Sequence, residues 1–229
     1  MKLIENILSL FYPRLCASCG NALQQNETCL CLDCMLHLPE TEFHKEHFNP
    51  LRQVFDGRVP VEEVTALMSY KKANKTQKIL HNLKYHGQKE IGAVLGEHLG
   101  GQLITEERYR SIQYILPIPL HPKKQRKRGY NQSEWIAKGL SKGMGIPYLT
   151  DVLVRTEFTD TQTRKSRFAR WQNVKEVFAV QNPEKVVYTH VLVCDDVLTT
   201  GATMEAAIRK LLEVEGVKVS VATLAATML

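Results

Sequence analysis

Residues 191–203, VLVCDDVLTTGAT, constrain this chain more than any other stretch. Val191–Cys194 read as a buried strand, and two adjacent acids, Asp195 and Asp196, stand at its carboxyl end. A turn rich in Thr and Gly follows, and then a helix that opens near Gly201 and runs to about Leu212. Ligands of open parallel sheets bind at this end of the strands. Backbone N–H groups in a turn that enters a helix form an anion site. Thr199, Thr200 and Thr203 add hydroxyl donors, Gly201 lets the backbone approach closely, and Ala202 completes the candidate ribose 5-phosphate segment. Two acids beside a phosphate cradle require a group that separates the charges. A phosphorylated ribose does so: its hydroxyls donate to Asp195 and Asp196 while its 5′-phosphate occupies Thr199–Thr203. The stretch lacks the Lys that a P-loop requires, which excludes that class of ATPase.

The remaining pattern agrees with an α/β fold. Val61–Ser69 has strand character, Lys75–Lys84 and Ile91–Leu103 have helical spacing, and Ile112–Ile118 is a short apolar run. Asn131–Lys142 reads as a helix, Val186–Cys194 as a strand and Val217–Thr223 as a last strand. Such alternation predicts a mostly parallel sheet flanked by helices. Pro39–Pro60 is polar and aperiodic and reads as a linker. Thr156–Asn173 is a long, polar, basic segment of the kind that carries function. The expected division is a helix and metal module over 1–48, a linker over 49–60 and the main domain over 61–229.

Five of the six cysteines lie between positions 16 and 34. Cys16 and Cys19 form one C-x2-C pair, and Cys31 and Cys34 a second. Two such pairs supply four soft ligands for a tetrahedral Zn(II), with no open position, so the ion is structural. Cys29 is spare. His37, His44 and His47 are expected on the linker surface. Cys194 reads as a small core residue.

Charge is unevenly spread. Residues 1–50 hold three Lys/Arg against six Asp/Glu, and the remainder 27 against 18. A basic main domain suits an anionic partner. Lys123, Lys124, Arg126, Lys127 and Arg128 form a dense run; Arg164, Lys165, Arg167 and Arg170 form a looser one. Three readings stand side by side: a solvated surface, closure of the 156–173 loop over a pyrophosphate, or a track for single-stranded DNA with Tyr130, Trp135 or Trp171 as stacking platforms. Lys84 reads equally as a pyrophosphate-facing or a surface lysine. No apolar run reaches the roughly 20 residues of a membrane span. Glu5 interrupts the N-terminal apolar run, which therefore predicts a short amphipathic helix and a cytoplasmic protein rather than a signal peptide.

Residues 191–203 match the phosphoribosyl-pyrophosphate signature of type I phosphoribosyltransferases. Together with the four-cysteine front, LKYHG at 83–87, PIPLHPKKQRKRGYNQSE at 117–134 and TQTRKSRFARWQN at 161–173, they resemble the ComF (competence protein F) family. The resemblance implies a type I phosphoribosyltransferase-like sheet and a candidate catalytic pair, Asp195 and Asp196. It also implies a pyrophosphate loop at Pro117, Ile118, Pro119 and Leu120, although Leu120-His121 departs from the Pro-x-Pro-Asp pattern of related amidophosphoribosyltransferases. Mg(II) would bridge pyrophosphate and ribose oxygens. Three functions follow as expectations: a phosphoribosyltransferase with an unnamed acceptor, a non-catalytic sensor of the same ligand, or a factor in DNA uptake that works with other uptake proteins. The preferred form combines them, a ligand-binding phosphoribosyltransferase-fold protein serving DNA uptake.

Overall fold

The computed structural model describes residues 13–71, 74–156 and 177–227. The N-terminal helix expectation, the 156–173 loop beyond Thr156, and with it Arg164, Lys165, Arg167, Arg170 and Trp171, lie outside the described residues.

The helices are α1 (Leu32–Leu36), α2 (Lys75–Tyr85), α3 (Glu90–Leu103), α4 (Pro122–Arg128), α5 (Gln132–Met144) and α6 (Ala202–Leu211). The strands are β1 (Val64–Tyr70), β2 (Tyr114–Pro117), β3 (Leu153–Arg155), β4 (Phe178–Val180), β5 (His190–Leu198) and β6 (Lys218–Thr227). A parallel four-stranded sheet runs in the order β1-β6-β5-β2, and β3 pairs antiparallel with β4. The central strand β5 is apolar on both faces because both are covered. Leu192 and Cys194 join a core with Leu83, Leu95 and Ile136 from α2, α3 and α5. Val191 and Val193 join a second core with Val54, Phe55 and Ile208.

Two boundaries differ from the sequence reading in a way that matters for the site. β5 runs on to Leu198, so Asp195 and Asp196 lie within the strand. Its ladder with β6 continues through Asp195↔Thr223 and Val197↔Ala225. β6 likewise runs to Thr227 rather than stopping at Thr223.

Residues 39–60 are not the expected linker. Phe43, Leu51, Val54 and Phe55 are buried, and 3-10 turns cover Phe43–Lys45 and Pro50–Val54. The buried Asn49 amide donates to the carbonyls of Phe43, Glu46 and Val64, and the Thr41 hydroxyl donates to Ala66. The apolar residues here are too few and too irregularly spaced for periodicity to register, yet they seal one face of the sheet. His44 is correspondingly buried rather than on the surface. His37 is exposed, and His47 is half-buried against the Glu63 carboxylate at 2.6 Å.

α3 and α5 touch backbone to backbone. A Cβ on Gly96 would sit 2.4 Å from the Ile136 carbonyl oxygen, and one on Gly139 would sit 2.2 Å from that of Ala93. Only glycine permits this approach. It seats α5 so that its first turn meets the carboxyl end of β5.

Candidate functional site

Asp195 and Asp196 follow one another on β5, where the sheet ends against the first turn of α5. The Asn131 side chain caps α5 by accepting from the Ser133 N–H, and its amide donates to the Ile118 carbonyl at 3.0 Å. One asparagine thus ties the Pro117–Leu120 segment to the helix that faces the acids. Ile118 is itself held by its N–H bond to the Cys194 carbonyl at 2.9 Å, beside the acids. Pro117 and Ile118 are buried, and Pro119 and Leu120 are half-buried.

The Ser133 hydroxyl donates to Asp195 Oδ1 at 2.6 Å, and the Asp196 N–H donates to the same oxygen at 2.8 Å. Desolvation and the neighbouring Asp196 push Asp195 up to about 7 despite these donors and Lys84. Asp196 is the more buried acid. Its Oδ1 pairs with Lys84 Nζ at 2.8 Å, whereas its buried Oδ2 has no hydrogen-bond partner. Arg155, at the end of β3, adds a cation within the field of Asp195. Burial lowers its pKa and the Asp195 charge opposes that shift. The guanidinium lies 5.4 Å from the Phe178 ring centroid.

Beyond the acids, Asp195 and residues 197–204 line a small cavity of about 60 Å³. It contains Thr199, Thr200, Gly201, Ala202 and Thr203 at the start of α6, as expected for one contiguous turn. Gly201 has φ +75°, and a Cβ there would lie 2.4 Å from Val54 Cγ1. Arg58 donates to the Thr200 carbonyl at 3.0 Å. The packed 39–60 region therefore braces the turn from below.

A second cavity, about 320 Å³, is lined by Lys84, Tyr85, Gly87, Lys124, Lys127 and Arg128. It has four cations and no acid among its lining residues. Tyr85 is exposed, and the Arg128 guanidinium lies 5.8 Å from its ring. The dense basic run forms the short exposed helix α4, which brings Lys124, Lys127 and Arg128 to this cavity; Arg126 does not line it. Tyr130 turns inward and donates its hydroxyl to the Leu83 carbonyl, while Lys89 and Lys138 lie over the Trp135 ring.

At the front of the chain, the Sγ atoms of Cys16, Cys19, Cys31 and Cys34 all lie within 4.8 Å of one another. The four cysteines are positioned to bind a metal ion. Backbone N–H groups of Cys31 and Asn21 point at Cys16 Sγ and Cys19 Sγ, each at 3.4 Å. Burial alone would raise the Cys16 thiol, but the backbone donors of Cys19, Cys31 and Ser18 bring it down to about 6. Burial pushes Cys34 up to about 12; a bound cation takes the place of that proton. Cys29 stands outside the group, buried and likewise pushed up to about 12. Cys194 is a fully buried core residue.

Sequence reasoning singled out Lys84 without a partner and missed Ser133 and Arg155. Ser133 lay in the quoted GYNQSE stretch, where its type carried no sign of an acid 62 residues away. Arg155 had no local signal at all.

Residues 131–228 match the family model described as the phosphoribosyl transferase domain. With the parallel sheet, this defines the class: a phosphoribosyltransferase-type α/β domain preceded by a four-cysteine cluster. Within it, the chain is similar to DNA utilization protein YhgH of Escherichia coli (strain K12), with 28% identity over 200 residues, 86% of this chain and 83% of that protein. It is also similar to Competence protein F of Haemophilus influenzae, with 38% identity over 105 residues, 45% of each chain. These relatives meet the resemblance drawn from the motifs. Among solved structures, the glutamine phosphoribosylpyrophosphate amidotransferase of B. subtilis aligns at 21% identity and a TM-score of 0.39. The aligned part covers 57% of this chain and 26% of that one. Among the described residues, no helix is long and apolar enough to cross a membrane.

Proposed function

We propose that this protein binds phosphoribosyl pyrophosphate with Mg(II) at Asp195–Thr203, and that a structural Zn(II) occupies the four-cysteine cluster. One observation carries the ligand reading: a carboxylate pair and a phosphate-sized turn share one strand end, with Asp195 lining the cavity that opens α6. Asp196 Oδ2, buried and without a partner, is suited to accept a ribose hydroxyl. The turn offers backbone N–H groups and Thr hydroxyls to the 5′-phosphate. Lys84 and Pro117–Leu120 stand on the side where the pyrophosphate would lie. With bound Mg(II) neutralising the leaving pyrophosphate, the chain's own part is to orient the sugar and shield C1 from water. Among the described residues no side chain is assigned as a general base, and the acceptor is left open.

For the metal, the Cys19–Cys31 sulfur separation of 3.8 Å equals the edge of a tetrahedron with Zn–S bonds of about 2.3 Å. Four thiolates close the coordination shell, so the ion stabilises rather than reacts. We take 1–48 as the metal module and 61–229 as the main domain; Leu51, Val54 and Phe55 of the intervening 49–60 segment belong to the core of the sheet.

Calorimetric titration of phosphoribosyl pyrophosphate and Mg(II) tests the ligand reading. Wild type should bind, and Asp195→Asn/Asp196→Asn should lose at least about 100-fold in affinity while staying folded. Equal binding by the double variant would overturn the site assignment.

A DNA-handling role is a second reading, supported by the names of the relatives and by the cationic cavity with exposed Tyr85. It expects single-strand binding that weakens steeply with salt and on loss of Arg126 and Arg128 charge. Absent or salt-insensitive binding would remove it.

A further inference from the structure

We propose that Asn82 is a positioning residue that couples the four-cysteine cluster to the acid pair through the last turn of α2, so that ligand affinity depends on the metal. The inference rests on the reading that Asp195 and Asp196 hold the ribose. The observations are independent of it. Asn82 Nδ2 donates to the Ala17 carbonyl at 2.8 Å. Ala17 lies inside the first cysteine knuckle, between Cys16 and Cys19, and its own N–H is bonded to the Cys29 carbonyl. Two residues further along the helix, Lys84 Nζ pairs with Asp196 Oδ1 at 2.8 Å. At 3.6 residues per turn, positions 82 and 84 point about 200° apart. A single helical turn therefore touches both sites on opposite sides.

Leu83, between them, is fully buried, and its carbonyl accepts the Tyr130 hydroxyl. The other end of α2 is anchored separately: Asn74 caps it, and the Thr76 hydroxyl donates to the Ser69 carbonyl at 3.0 Å. The Asn82–Ala17 bond thus sets where the C-terminal end of α2 sits relative to the cysteine knuckle. With a bound ion the knuckle is a fixed point. Without one, its carbonyl moves, the helix end loses that anchor, and Lys84 no longer holds its place on Asp196. Asp196 is almost wholly buried and has one oxygen already unpartnered. Deprived of Lys84 as well, the carboxylate loses its charged partner and is no longer held in the position from which it would meet a ribose hydroxyl.

The test is titration of phosphoribosyl pyrophosphate and Mg(II) into wild type, Asn82→Ala, Lys84→Met and the double variant, with metal content measured on each. Asn82→Ala should keep its full metal complement, because all four thiolates are intact, yet bind about ten-fold more weakly. Lys84→Met should lose more. Adding Asn82→Ala to Lys84→Met should change nothing further, which a merely stabilising hydrogen bond would not produce. Lys78→Ala, one turn earlier on an exposed face of α2, should bind like wild type. Removing the metal from folded wild type with a chelator should weaken binding at least as much as Asn82→Ala, and Lys84→Met should be insensitive to the chelator. Unchanged affinity in Asn82→Ala, or additive losses in the double variant, would overturn the coupling while leaving the ligand site standing. Absence of binding by folded wild type would remove the ligand reading and this inference together.

Discussion

The cysteine cluster and the Asp195–Thr203 segment are the two proposed ligand sites of this protein, and they are built in opposite ways. All four sulfurs come from residues 16–34 and are met by short-range bonds such as Cys31 N–H to Cys16 Sγ, with the Asn82 bond to the Ala17 carbonyl tying the first knuckle to α2. Half of the cluster is open: Cys19 is exposed and Cys31 half-buried. On the proposed metal reading, the order of this open half comes largely from the ion, while Cys16 and Cys34 also pack in the core. The acid pair is held by groups from elsewhere, namely Ser133 on α5 and Lys84 on α2, and by a strand paired on both sides. The first site should collapse when one ligand is lost. The second should survive the loss of its charges, because the sheet holds it in shape.

The largest expected effect breaks the first half of that contrast. Cys19→Ser should lower metal content from one ion per chain and cost about 4 kcal/mol of stability. That corresponds to a fall in Tm of about 10 °C for a chain of this size, measured by metal analysis and thermal unfolding. A variant that keeps Tm without metal would show that the sheet, not the ion, orders the cluster.

A smaller effect probes the brace beneath the turn. Gly201→Ala forces a side chain at positive φ into Val54 and should cost about 3 kcal/mol by urea denaturation. Val54→Ala in the same background should recover part of that loss by opening space. No recovery would mean that backbone strain, rather than packing of the 39–60 region, sets the cost.

The smallest effect is a matter of pH. Asp195 is pushed up to about 7 by desolvation and by Asp196, against an ordinary value near 4. The native chain therefore binds more protons at this group than the unfolded chain does between about pH 4 and pH 7. Its contribution to stability is complete below about pH 4 and is lost as pH rises through about 7. Asp195→Asn, always neutral, should stabilise the protein by about 2 kcal/mol at pH 8, and that gain should vanish toward pH 4. A pH-independent difference would mean that Lys84 and Arg155 compensate the charge fully. Stabilisation by removing a charge, together with lost ligand binding, would mark Asp195 as kept for binding at the expense of stability.

How much was legible in advance follows the same division. The C-x2-C pairs identified the four clustered cysteines and set Cys29 aside, because ligand spacing in a knuckle is a local property. The strand–turn–helix reading of 191–203 also held in outline, since a doubly buried strand is written as a continuous apolar run. Its end was misplaced by four residues: Asp195 and Asp196 interrupt the apolar run, and the backbone ladder to β6 that continues past them leaves no mark in residue type. The 39–60 region was misread for a related reason. Phe43, Leu51, Val54 and Phe55 are buried by irregular turns, whose spacing has no period to detect.

By itself, then, the sequence determined which four cysteines gather in a position to bind a metal, the parallel α/β class and the chemical character of the acid-and-threonine turn. Each depends on contacts within a few residues or on a repeating periodicity. Only the tertiary structure decided which cation neutralises Asp196, which hydroxyl holds Asp195 and which residues brace Gly201. Those choices follow from the strand order β1-β6-β5-β2 and from the glycine contact between α3 and α5. Partners chosen by packing across a sheet end are distant in the chain, and nothing in their own neighbourhoods records the meeting.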